Sequence, residues 1–228
     1  MRHLVVLTGA GISAESGLPT FRDLGGLWQQ YSVYDLASPE GWQANPGLVL
    51  EFYNTRRKLA CAAQPNLAHR TLASLEHHFL VSVITQNIDD LHERAGSSRV
   101  LHLHGEINKA RSSINPDLIY PLDGRDIQLG DYAPDGSQAR PHVVWFGESV
   151  PALEKAAEIC ATADHFLIIG TSLQVYPAAA LIHDVPEDVP VTVIDPSEDL
   201  QVSGARIIRT TACEGLPVLA QTLIDTLA

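Results

Sequence analysis

Two histidines, His102 and His104, stand at and just beyond the end of a short apolar run, residues 100–103. A near-neutral imidazole at a strand end can accept a hydroxyl proton at cellular pH, which is general-base chemistry. The two are spaced to share one face of a strand, so spacing does not choose between them. A polar group, Gln86-Asn87-Ile88-Asp89, follows a second apolar run at 80–84. The C-terminal ends of strands are where open α/β sheets bind ligands. Gly9-Ala10-Gly11-Ile12-Ser13 follows a third run at 4–7, where backbone N–H groups at a helix start can approach a diphosphate. Such a turn equally serves close packing. Tyr53 and Arg56 are three apart in a helical pattern, so a phenol and a guanidinium can converge on one ligand. A core Tyr beside a solvated Arg is the plain alternative. From these residues alone the chain reads as an α/β enzyme that binds a nucleotide.

Positioning these groups calls for a particular scaffold. Short apolar runs at 4–7, 80–84, 100–103, 143–146, 166–169 and 191–194 predict a mostly parallel sheet in an α/β fold with helices on both faces. Residues 45–63 and 68–77 have helical spacing, with Asn45-Pro46 and Asn66 as start signals. The stretch 107–140 is rich in Pro, Gly, Asp, Asn and Ser and reads as a small loop-rich or β-hairpin module, while 217–227 reads as a closing amphipathic helix. A chain of 228 residues holds one sizeable core plus an insertion. The expected division is a large lobe of 1–34, 78–106 and 141–228 and a small lobe of 35–77 and 107–140. A net charge of −12 argues against nucleic-acid binding. Cys61, Cys160 and Cys213 lie far apart with no CxxC pair, which argues against a disulfide framework. No apolar stretch approaches a membrane span, so no membrane association and a cytoplasmic location are expected.

The extended motif GAGISAESGLPTFRD at 9–23, followed by GGLW at 25–28, resembles the sirtuin family of NAD-dependent protein deacylases. QNID at 86–89, LHGE at 103–106, RPHVVWFGE at 140–148 and GTSL at 170–173 continue the resemblance in sirtuin order over most of the chain. It implies a Rossmann-like NAD-binding lobe, with NAD consumed as co-substrate. Gly9, Ala10, Gly11, Ser13, Glu15, Thr20, Phe21, Arg22 and Trp28 would wrap the cofactor, Phe21 and Arg22 near the nicotinamide ribose and phosphate. Gln86, Asn87, Ile88 and Asp89 would hold the nicotinamide and its ribose. Gly170, Thr171 and Ser172, with Asp195, Pro196, Ser197 and Ala212, would hold the adenosine side. Asp195 stands where many sirtuins carry Asn; a carboxylate there would repel a 2′-phosphate, giving NAD over NADP. The resemblance selects His104 as the base, with Asn87 and Asp89 as the other catalytic residues. In the implied mechanism the acyl-lysine carbonyl oxygen attacks the ribose C1′ and nicotinamide leaves. His104 then deprotonates the ribose, the activated 2′-hydroxyl attacks the imidate carbon, and water completes the release of free lysine and O-acyl-ADP-ribose.

By the same resemblance Val144, Phe146, Gly147, Glu148, Val175 and Tyr176 belong to two loops that hold the substrate peptide as an added strand. Tyr53 and Arg56 match the Y-x-x-R pair of bacterial class III members that remove succinyl and malonyl as well as acetyl groups. Arg56 would pair with the distal carboxylate and the Tyr53 hydroxyl would add a hydrogen bond. Most sirtuins hold a structural zinc on four small-lobe cysteines, but none lies here between Cys61 and Cys160, and Ser112 stands where the first ligand is expected. No zinc is therefore predicted, with Ile114, Leu118, Ile119, Tyr120, Leu122, Ile127 and Leu129 forming a miniature core instead. The expected partners are acyl-lysine proteins. An NAD glycohydrolase or ADP-ribosyltransferase is the alternative enzyme, separated by its products, and a non-catalytic NAD sensor is separated by whether NAD turns over.

Overall fold

Strand β1 (His3–Thr8) is apolar on both faces: Leu4 and Val6 enter one core, Val5 and Leu7 another. A strand of this kind needs cover on both sides and an interior place in its sheet. The structure, a computed structural model, describes residues 1–19 and 31–227. Its larger sheet runs in the order β3 (Val100–His102), β2 (Leu80–Thr85), β1, β7 (His165–Ile169), β8 (Val191–Ile194), β9 (Arg206–Ile208), with every pair parallel. Helices α5 (Leu67–Leu75) and α8 (Ala212–Leu227) cover one face; α7 (Leu153–Cys160) and a 3₁₀ helix at Ala178–Asp184 cover the other. Strand order reverses direction between β1 and β7, so the connections after these two strands diverge and leave a crevice.

A second sheet is antiparallel, in the order β5 (Ile119–Pro121), β4 (Gly105–Ser112), β6 (Ala139–Val143). Helix α4 (Pro46–Ala62) packs against it through Leu50 and Phe52, and α2 (Val33–Leu36) and α3 (Pro39–Ala44) join the same side. The start signals act as expected. The Asn45 side chain accepts from Leu48 N at 3.1 Å with Pro46 in the first helical turn, and Asn66 caps α5.

Several expectations are corrected. The apolar run 143–146 supplies no strand of the parallel sheet: β6 ends at Val143, and Val144 N and Phe146 N bond to His104 O and Ala37 O, both at 2.9 Å. Two stretches also pack differently from the expected lobe division, since α5 lies on the parallel sheet and β6 pairs with β4. Helix α8 begins at Ala212, with Pro217 inside it. Its start is held by the Glu15 carboxylate, which accepts from Cys213 N at 3.1 Å, and this offsets the one backbone bond Pro217 cannot make. The miniature core is only partly formed: Leu122 and Ile127 are buried with Leu50 and Ala110, while Ile114, Ile119 and Leu129 are exposed. A polar node stands beside it. The buried Ser112 hydroxyl donates to Asp135 Oδ2 at 2.6 Å, lies 2.8 Å from Ser137 Oγ, and accepts from the N–H groups of Ile114 and Asn115.

At the switch point two turns touch. Gly11 N donates to Gly170 O at 2.8 Å, and a Cβ added at Gly170, where φ is +62°, would strike the backbone of Gly11 and Ile12. Gly170→Ala is therefore expected to lower stability by at least about 2 kcal/mol, read as a fall in the urea midpoint. An unchanged midpoint would show that the two turns can move apart freely. No described helix is long and apolar enough to cross a membrane.

Candidate active site

The crevice contains a cavity of about 700 Å³, a volume that suits a cofactor with part of a second ligand. Gly9, Ala10, Gly11, Ser13 and Glu15 line it from the segment after β1, and Gln86, Asn87, Ile88 and Asp89 from the loop after β2. Gly170, Thr171, Ser172, Val175 and Tyr176 enter after β7, Asp195, Pro196 and Ser197 after β8, and Ala212 at the start of α8. From the other side come Tyr53 and Arg56 on α4, His104, and Val144, Phe146, Gly147 and Glu148. Every expected site residue among the described ones thus borders one cavity; Thr20, Phe21, Arg22 and Trp28 lie outside the described residues. The close-packing role of the glycine turn holds as well, because a Cβ at Gly9 or Gly11 would collide with Thr171 or Gly170.

The polar floor is ordered by side chains from three strand ends. Asn87 Nδ2 donates to Gly9 O at 3.1 Å and to Ser13 Oγ at 3.2 Å, and Ser13 Oγ donates to Asp89 Oδ2 at 3.1 Å. Asp89 Oδ1 accepts from Leu91 N, so both of its oxygens are engaged. Burial raises the Asp89 pKa above the usual carboxylate value, against the opposing pull of the Leu91 and Ser13 bonds. Gln86 Nε2 donates to Thr171 Oγ1 at 3.0 Å and ties the β2 loop to the β7 turn. Behind Ser13, burial pushes the His69 pKa down to about 4 and leaves that ring neutral. Asp195 accepts from Ser197 N at 2.9 Å, which closes the turn after β8.

The two histidines part company because the chain leaves the strand after His102. His104 Nδ1 lies 3.0 Å from Gln86 O. A carbonyl only accepts, so Nδ1 carries the proton and Nε2 holds the lone pair. Burial lowers the His104 pKa and outweighs the opposing effect of the Gln86 bond, so the ring is the neutral, proton-accepting form at pH 7. Gly105 must follow it, since φ is +82° and an added Cβ would meet the His142 carbonyl.

Tyr53 and Arg56 line the cavity together, as their helical spacing requires. Burial pushes the Tyr53 hydroxyl up to about 12, so it remains a neutral donor. The Arg56 guanidinium sits 5.6 Å from the centre of the Phe52 ring. Glu148 borders the cavity, yet its carboxylate is taken by Arg140 at 2.8 Å and Arg111 at 3.1 Å and accepts from Trp145 N. It therefore braces the 144–148 segment from beneath. Residues that sequence reasoning missed include Trp145, Leu59, Ala60, Ile107 and Thr211. Leu59 and Ala60, three and four residues beyond Arg56, were findable by helical spacing; Ile107 was not, because its place depends on how β4 pairs.

A model of the Sir2 family matches residues 9–177. The chain is 53% identical over 231 residues to an NAD-dependent protein deacylase of Bacteroides thetaiotaomicron, covering 98% of this chain and 99% of that one. It superposes on a Sir2 homolog–NAD complex with a TM-score of 0.91 at 38% identity, covering 100% of this chain and 91% of the other. A Sir2 chain holding a deacetylated peptide and 3′-O-acetyl-ADP-ribose matches with a TM-score of 0.82 at 31% identity, over 98% and 93% of the two chains. With the motif residues gathered around one cavity at the switch point of a parallel sheet, this chain belongs to the Sir2 family.

Proposed function

We infer how this chain carries out NAD-dependent deacylation of protein lysines: the β7 and β8 turns hold adenosine, Asn87 and Asp89 hold the nicotinamide ribose, and His104 is the base. The residues fit this co-substrate. The cavity is large enough, its glycine turns bring backbone close, and hydrogen-bonding side chains stand at three strand ends. NAD supplies the cleavable bond between nicotinamide and ribose. Asn87, fixed through Gly9 and Ser13, orients that ribose; His104 Nε2 takes a ribose hydroxyl proton; and Ile107, Val143 and Trp145 form an apolar wall beside the acyl group. The 3.0 Å contact between His104 Nδ1 and the Gln86 carbonyl, which leaves Nε2 as the acceptor, is the observation that carries the reading.

Acyl-lysine segments of proteins are the substrates, laid between the 144–148 and 172–177 segments. Tyr53 and Arg56 favour acyl groups that end in a carboxylate, succinyl and malonyl, with acetyl accommodated in the same space. The small lobe does not fit a structural zinc. Ser112 is committed to Asp135 and Ser137, and among the described residues no group of three or more His, Cys, Asp or Glu could hold a metal ion. Three free cysteines accord with a reducing, cytoplasmic setting.

Mass spectrometry of NAD incubated with matched acetyl-lysine and succinyl-lysine peptides tests this reading. Nicotinamide, O-acyl-ADP-ribose and free lysine are expected in equal amounts, with the succinyl peptide consumed faster. ADP-ribose formed without peptide would replace the reading with a glycohydrolase.

A further inference from the structure

We infer that His102, as an imidazolium, is a positioning residue for the reaction: it bridges the Asn87 carbonyl and the Glu93 carboxylate and so holds the loop that carries Asn87 and Asp89. The inference rests on the functional reading above. His102 ends β3, outside the cavity lining, with Nδ1 2.9 Å from Asn87 O and Nε2 2.8 Å from Glu93 Oε1 on α6 (Leu91–Ala95). Both partners are acceptors that cannot donate. A neutral imidazole carries one N–H and can serve one of them; the imidazolium serves both. The bonding geometry therefore assigns the charge. The side chain is 9% exposed, so water replaces neither bond easily.

The surroundings support the charged form. Burial opposes it, but the Glu93 bond and charge, the Asn87 carbonyl and Glu106 on β4 together raise the His102 pKa above the ordinary value. Glu106 is itself paired with Lys109 at 2.7 Å. Within the loop, the charge on His102 lowers the pKa of Asp89 and partly offsets the effect of burial. His92 on α6 is held neutral chiefly by burial, and the charge on His102 acts in the same direction.

His102 and His104 thus grip successive carbonyls of one loop, Asn87 and Gln86, with opposite requirements. His104 must be neutral to accept a proton, whereas His102 must be charged to keep both bonds. Because the folded-state pKa of His102 is raised, the doubly bonded bridge is complete below the ordinary histidine value and is lost as pH rises through the raised one. The value of kcat/KM for NAD then rises with pH as His104 loses its proton and falls again as His102 does.

Two measurements test this. Ring-nitrogen NMR of the histidine-labelled protein without substrate should show both His102 nitrogens protonated at neutral pH and titration above the ordinary histidine value. The pH profile of kcat/KM for NAD, over roughly pH 5.5 to 9.5, should be bell-shaped, and the exposed Glu93→Gln change should move its alkaline limb down by about one pH unit with the acidic limb in place. His102→Gln, which keeps one donor, should flatten the alkaline limb and lower the plateau about tenfold, mostly through KM for NAD. A His102 that titrates at or below the ordinary value, or an alkaline limb unmoved by Glu93→Gln, overturns the inference. The NMR titration needs no turnover. A charged His102 in a protein that makes no O-acyl-ADP-ribose would therefore count against the functional reading alone.

Discussion

His104→Ala is expected to lower deacylation turnover about a thousandfold, the scale of a lost general base. The effect should fall on one step. Nicotinamide leaves before the ribose hydroxyl is activated, so exchange of labelled nicotinamide into NAD in the presence of acyl peptide should survive the substitution while O-acyl-ADP-ribose formation disappears. The ring's anchor is a backbone carbonyl, Gln86 O, which remains in place when the side chain is cut back. Val144 likewise bonds to the backbone of His104 and keeps its partner. Little change in the thermal midpoint is expected for that reason. Loss of exchange and of product by the same factor would place His104 at or before nicotinamide release and contradict the role given to it.

The second large effect is one of selectivity. Arg56→Met keeps most of the side-chain volume but removes a positive charge from the cavity lining, where the proposed acyl group would end. An unpaired succinyl carboxylate in that enclosed space should reduce kcat/KM for a succinyl peptide by about 100-fold, while the acetyl peptide changes by no more than about threefold. Burial lowers the Arg56 pKa, with Asp89 opposing it, but a guanidinium starts so far above neutrality that the charge is kept. Equal losses on both peptides would reduce Arg56 to a packing role and leave the acyl preference without a charged determinant.

Much of the site was legible because ligand-binding residues of an open parallel sheet follow the strands, and strands buried on both faces announce themselves as unbroken apolar runs. Gln86 to Asp89 were placed by that rule, Gly170 to Ser172 by the family resemblance, and Tyr53 with Arg56 by helical spacing. Illegible features depend on partners distant in sequence. Strand β9 is three residues, too short to stand out, and is fixed by pairing with β8. The run 143–146 looked like another parallel strand, yet β4 had already claimed Val143 from the other sheet. The separation of His102 from His104 turned on where the strand stops, which the motif indicated and the spacing did not. Ser112 could be noticed as a departure from a family pattern, but its bonds to Asp135 and Ser137 join residues more than twenty positions apart.

The central place of β1 also has a consequence for how the protein is made. One edge of β1 pairs with β2, but the other waits for β7, which begins at His165. At the usual synthesis rate the interval between the two strands leaving the ribosome is roughly 10–30 s. Throughout it the nascent chain carries an apolar strand with one edge open, and the glycine turn beyond it lacks the β7 turn against which it packs. Until then that edge can pair with other chains, and the cofactor cradle closes only once β7 has taken its place.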